Sequence, residues 1–302
     1  MQWTRRTDLA VEAQEIWQES AQETTALKGV DAKERKSHGY DVTEVRILDE
    51  SGANALQKPM GTYITVELGA LLRREEDAFG RGVSAIMDAL MPLLQLTQDE
   101  TILVVGLGNR AITPDAVGPL VAKHTLATHH LVERVPEHFG NMRRVTVVQT
   151  GVLGTTGMES AEMVRAIVEQ LRPDRIIAVD ALASRKLSRI CRTVQLSDTG
   201  IVPGSGIGNS RAGLNRETLG VPVIAVGVPT VVDAGTLVAD LLEESGKGSV
   251  PPEQFSSVGG GMIVTPKEID TQVADLSKLI GYALNCALQP GMTVADVDML
   301  TG

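Results

Sequence analysis

Two acidic residues far apart in the chain, Asp115 and Asp180, stand where acid–base chemistry could be done. Asp115 lies in the run TILVVGLGNRAITPDAVGP (residues 101–119), where the apolar residues Ile102 to Val105 lead into Gly106 and Gly108. Asp180 closes a second apolar run, Ile176 to Val179. In an open parallel sheet both addresses are carboxyl ends of strands, where crevices for ligands form. Two carboxyls that meet there can divide base and acid duties across one water molecule, provided their surroundings push their pKa values apart. Thr113 reads as an N-cap with Pro114 at the first helical position, so the helix dipole and free amides are expected to hold Asp115 ionised. Asp180, at the mouth of an apolar strand and near a second negative charge, is expected to resist ionisation. The same residues admit a plainer reading: an Asp in a first helical turn starts helices, and one at a strand end caps the next loop.

Other chemistries fit less well. GLGNRA matches the G-x-G-x-x-A form of a dinucleotide fingerprint, but the next strand ends in Gln149, with no acid to hold a ribose hydroxyl. A nucleotide-binding module is therefore the alternative from another class. The histidines His38, His124, His129, His130 and His138 make no H-E-x-x-H, and a five-residue step separates His124 from His129, which one helix face does not accommodate. They read as surface or loop residues, and neither a metal nor a cofactor is expected. Ser205 is not flanked as G-x-S-x-G requires, and Cys191 sits in a strand-like run with no histidine nearby.

The elements that would position the two aspartates read as an α/β fold. From residue 101 onward strands are expected over 102–106, 144–149, 175–180, 190–196 and 221–227. Helices are expected over 114–128, 158–171, 231–243 and, as the last, 266–288. This alternation implies a mostly parallel or mixed sheet with helices on both faces. Ahead of it, Asp41–Leu48 and Tyr63–Leu68 alternate as half-buried strands. SGANALQKPMG between them reads as a loop, and residues 77–96 as a helix. Residues 1 to about 40 are polar and acidic, with Trp3 and Trp17 among them and Glu12, Glu15, Glu19 and Glu23 at helical spacing. Two long loops, Ser197–Leu219 and Ser245–Gly261, are expected to be functional or mobile.

With 43% hydrophobic residues and 3% aromatic ones, the core must be built from aliphatic side chains. A formal net charge of −10 argues against direct binding to nucleic acid or to an anionic membrane surface. Cys191 and Cys286 show no motif spacing, and no apolar run is long enough to span a bilayer, so a cytoplasmic location is expected. Near the start, RRTDLAVEA has two readings. Thr7 or Asp8 caps a helix with Glu12 in its early turns, or the segment is an exposed peptide that can itself be cut.

Several blocks in one order carry a resemblance: RTDLAVEA, GTYITVE, GLGNRAITPDAVGP, QTGVLGTTGMES, IIAVDALASR, GSGIGNSR and GVPTVVDA. Together they resemble the germination proteases of spore-forming bacteria, which degrade small acid-soluble spore proteins, and they cover nearly the whole chain. The resemblance implies an endopeptidase of the spore core, made as a zymogen and usually tetrameric, with two essential aspartates that fall on Asp115 and Asp180. It implies small acid-soluble spore proteins as substrates. It also implies self-cleavage between Asp8 and Leu9, with residues 1–8 as propeptide and 9–302 as one protease domain (extension 9–100, core 101–302). Arg5 departs from the pattern, standing where preferred substrates carry an acid. The core is also similar to the proteases that mature nickel–iron hydrogenases, where a histidine joins the two acids at a metal; no histidine follows Asp180 here. A metal-dependent maturation peptidase is the second alternative.

Overall fold

The structure, a computed structural model, describes residues 7–21, 27–97, 99–205, 211–245 and 262–301. Trp3, Arg5, Glu23, the 206–210 part of GSGIGNSR and the 246–261 part of the second long loop lie outside the described residues. Nine strands are described: β1 (Val30–Ser37), β2 (Tyr40–Ile47), β3 (Gly61–Glu67), β4 (Ile102–Leu107), β5 (Val145–Gly151), β6 (Arg175–Ala183), β7 (Thr193–Ser197), β8 (Val223–Asp233) and β9 (Ile263–Val264). Eight of them form one sheet in the order β1-β2-β3-β7-β8-β6-β4-β5, and β9 pairs with the end of β8. The β8-β6-β4-β5 half is parallel, whereas β1, β2, β3, β7 and β8 pair antiparallel in turn, so the sheet is mixed.

Buried parallel strands are apolar on both faces, and here successive residues feed two different layers. Ile102, Val104, Ile177 and Val179 pack into the layer that holds the helices Ala78–Leu94, Val117–His124 and Ile269–Leu288. Leu103, Val105, Ile176 and Ala178 pack into the opposite layer with the Ser160–Leu171 helix. On that second face, farther along the sheet, the N-terminal helix Ala10–Ala21 covers β2 and β3 through Ala10, Ala13, Val45 and Tyr63. No helix among the described residues is long and apolar enough to cross a membrane.

Several elements differ from expectation for identifiable reasons. The strand β1 carries no apolar alternation because it is the sheet edge, largely exposed, where charges such as Lys33, Glu34 and Arg35 guard against further pairing. SGANALQKPMG is not a plain loop: Asp49 caps a helix over Glu50–Leu56, its Oδ1 accepting the Gly52 N–H at 3.0 Å. The helix expected over 114–128 is a 3-10 turn, Thr113–Asp115, followed by Val117–His124. Thr113 does not cap it; its hydroxyl donates to Asp270 Oδ1 at 2.7 Å. The strand expected over 190–196 begins only at Thr193, after a turn in which Cys191 has φ 54°. The strand β8 runs on to Asp233, so the following helix starts at Ala234 rather than 231. Ile269–Leu288 is not the last helix, since Val294–Thr301 follows it.

Candidate active site

Asp115 is placed by close backbone packing. The Val117–His124 helix meets β4 and β6 so tightly that a Cβ on Gly118 would lie 2.2 Å from the Leu107 carbonyl oxygen and 2.5 Å from that of Val179. A Cβ on Gly106 would lie 2.3 Å from the Gly118 carbonyl. The glycines of this run therefore let a helix rest directly on two strands. Gly108, at φ +105°, turns the chain back under Asp115. The Asn109 N–H then donates to Asp115 Oδ2 at 2.8 Å, fixing the carboxylate over the end of β4.

Asp180 is not at the end of its strand. The pairing of β4 with β6 stops at Gly106 and Val179, while β6 and β8 stay paired as far as Ala183 and Val231. Asp180 therefore occupies the first position beyond the point where β4 leaves. By strand alternation it continues the face that carries Ile176 and Ala178. It is 5% exposed, and its Oδ1 accepts the Ala181 N–H at 2.9 Å.

Asp115 and Asp180 line one cavity of about 260 Å³, and Asp8 lines it with them. Asp8 is tied to the open stretch of β6: its N–H donates to the Ala183 carbonyl at 3.0 Å, and the Ala183 N–H donates to Asp8 Oδ2 at 2.8 Å. The Ser205 hydroxyl donates to Asp8 Oδ1 at 2.7 Å. Burial drives the Asp180 pKa well above the ordinary aspartate value, and the charges of Asp115 and Asp8 push the same way against the Ala181 amide. Asp115 departs from expectation. Burial raises its pKa too, outweighing the Asn109 amide and the positive charge of Arg211. The helix-dipole argument fails because Asp115 sits in a half-buried 3-10 turn ahead of the helix, with a single amide bonded to its carboxylate.

The N-terminal segment is not an exposed peptide. Leu9 is 0% exposed and packs with Val11 on Leu182, while Ala10 opens the helix that follows. Thr7 and Glu12 anchor this start: Thr7 Oγ1 accepts the Leu9 N–H, and Glu12, fully buried, accepts from Ser184 Oγ and from the N–H groups of Arg185 and Lys186. On the far side of Asp8 lies a second cavity of about 350 Å³, whose lining includes Lys58, Gln195 and Ser205. Lys58 and Gln195 belong to no motif, and Arg211 enters only as the last residue of the block GSGIGNSR. A signal existed for Gln195, because β7 alternates Thr193, Gln195 and Ser197 with apolar residues, yet both of its faces are buried. A buried polar row needs polar partners.

Of the histidines, His38 pairs with Asp88 and His129 with Glu133, both at 3.0 Å, and neither lines the cavity that holds the aspartates. No group of three or more His, Cys, Asp or Glu placed to hold a metal ion occurs among the described residues.

The family model for germination protease matches residues 10–247. This chain belongs to the germination protease family. It is 42% identical to the germination protease of Caldanaerobacter subterraneus subsp. tengcongensis, the match covering 98% of this chain and 97% of the relative. It is 41% identical to the germination protease of Clostridium tetani, over 97% and 98% of the two chains. As a member of the family the chain is an endopeptidase. Among solved structures, a nickel–iron hydrogenase maturation protease, HycI of Thermococcus kodakarensis, aligns with a TM-score of 0.36 and 19% identity, covering 65% of this chain and 98% of that one.

Proposed function

We propose that this germination protease hydrolyses peptide bonds with Asp115 and Asp180 acting on one water, and that it first cuts itself between Asp8 and Leu9. The observation that carries the reading is the meeting of Asp8, Asp115 and Asp180 around a single cavity. Three carboxyls in so little space cannot all be ionised cheaply, so a proton stays on the most buried of them, Asp180. Asp115, with an amide and the Arg211 charge to favour its ionised form, takes the proton of the attacking water. Asp180 gives its proton to the leaving amine. Residues 1–8 are then a propeptide and 9–302 the mature protease unit. The substrates are small acid-soluble spore proteins of the spore core, the working form is a homotetramer, and neither a metal nor a nucleotide takes part.

Asp115→Asn and Asp180→Asn are each expected to lower endopeptidase activity at least about 100-fold, the ordinary contribution of one general acid or base. Full activity in both variants on a peptide with an acidic residue before the cut would end the assignment. Self-cleavage is checked by incubating the full-length chain and sequencing the product, which should begin at Leu9.

A further inference from the structure

We propose that Lys58 and Gln195 form the oxyanion site for hydrolysis of the Asp8–Leu9 bond, an inference that rests on the reading of that bond as the processing site. The Asp8 carbonyl oxygen accepts two side-chain hydrogen bonds, from Lys58 Nζ at 3.0 Å and from Gln195 Nε2 at 3.0 Å. The donors come from separate elements, one just after the Glu50–Leu56 helix and one within β7. Lys58 Nζ also donates to the Thr7 carbonyl at 3.1 Å. The other end of the Gln195 carboxamide accepts the Ala10 N–H at 2.7 Å. One buried side chain, 8% exposed, thus grips the backbone on both sides of a single peptide bond. The Asp8 side chain projects meanwhile into the cavity of the aspartate pair. The carbonyl that hydrolysis must polarise is held by these two donors, and the residue that carries it also lines the cavity of the proposed acid–base pair.

A helix start needs no such arrangement. The Asp8 carbonyl takes no part in the helix ladder, which opens with the Ala13 N–H on the Leu9 carbonyl at 3.1 Å. Burial lowers the Lys58 pKa from the ordinary lysine value, and the carboxylates of Asp8 and Glu12 work against that shift. Two N–H donors, an amine and an amide, aimed at one carbonyl oxygen are what a tetrahedral intermediate requires.

In the step itself, the water oxygen bonds to the Asp8 carbonyl carbon and its proton passes to the ionised carboxylate of the pair. The carbonyl π electrons move onto the oxygen held by Lys58 and Gln195. Collapse re-forms the carbonyl and breaks the bond to the Leu9 nitrogen, which takes the proton of the un-ionised carboxyl. A free carboxyl on Asp8 and a free amine on Leu9 result.

The test uses the full-length chain with Lys58→Met and, separately, Gln195→Glu, the second keeping an acceptor for the Ala10 N–H while removing the donor to Asp8. Release of residues 1–8 is followed by mass spectrometry, with hydrogen exchange at the Ala10 amide and thermal melting measured on the same variants. Each variant is expected to process about 100-fold more slowly or worse, with Ala10 protection and Tm close to the parent's. Lys58→Arg, which keeps an N–H donor, is expected to regain part of the rate. Parent-like processing in both variants, or rate loss that only tracks loss of Ala10 protection, overturns the proposal. Asp115→Asn and Asp180→Asn run alongside. If those two cut normally, or the product does not begin at Leu9, the underlying reading has failed. If they are silent while Lys58→Met and Gln195→Glu cut at the parent rate, only the oxyanion assignment has failed.

Discussion

Under the proposed mechanism, Asp180 is the residue at which function and stability pull apart. Its pKa is raised in the folded protein, so between the ordinary aspartate value of 3.8 and the raised value the native state binds more protons than the unfolded chain. Stability contributed by this group is therefore full below that ordinary value and falls as pH rises through the window. Asp180→Asn removes the penalty. It is expected to raise Tm at pH 7 while abolishing activity, and the gain should shrink toward zero as melting is repeated at pH values approaching 3.8. A Tm gain that does not vary with pH would contradict this account. Both aspartates were legible in the sequence because each follows a continuous apolar run, and in a parallel sheet such runs end at the crevice. The direction of the Asp115 shift was not legible, since it depends on burial and on a 3-10 turn replacing a helical one. Lys58 was not legible either. It lies in a short segment without periodicity, and its role comes from Asp8, fifty positions away.

Among the elements, the Val117–His124 helix is the one that cannot be moved. Gly118 leaves no room between it and two strands, so Gly118→Ala drives a methyl into main-chain atoms that have nowhere to go. The variant is expected to lose about 3 kcal/mol in urea unfolding and, because Asp115 precedes this helix, most of its activity. Near-parental stability would show that the helix can slide. A different device holds the N-terminal helix. Burial would raise the Glu15 carboxyl, but hydrogen bonds from Arg189 and Lys186 prevail and bring its pKa down to about 2. Arg189 engages both Glu15 oxygens, at 2.7 and 2.8 Å. A depressed carboxylate contributes its full stability above the ordinary value of 4.5 and loses it as pH falls toward about 2. Arg189→Met should flatten Tm against pH across that interval, which melting curves on parent and variant will show. These elements differ in how plainly the sequence announces them. The glycine run advertises a strand–helix turn, but only the fold reveals that its glycines serve contact. The edge strand β1 is charged over most of its length and hides its periodicity.

Across the whole molecule, the parallel half was readable because burial on both faces writes unbroken apolar segments into the chain. The antiparallel half was readable in part: β2 and β3 alternate where the N-terminal segment covers one of their faces, whereas the exposed edge β1 does not. The N-terminal segment has a thermodynamic consequence. Leu9 is wholly buried against Leu182 at the opening of a helix. A cut before it would plant a new ammonium in an oily niche at the positive end of the helix dipole, where a cation is unwelcome on both counts. The fresh terminus would have to lift into water, taking Val11 with it and baring the face of Leu182. Severing one bond would then act as a one-way ratchet that clears the strand edge for the next polypeptide. The processed chain should exchange its amide hydrogens at residues 9–13 far faster than the intact one.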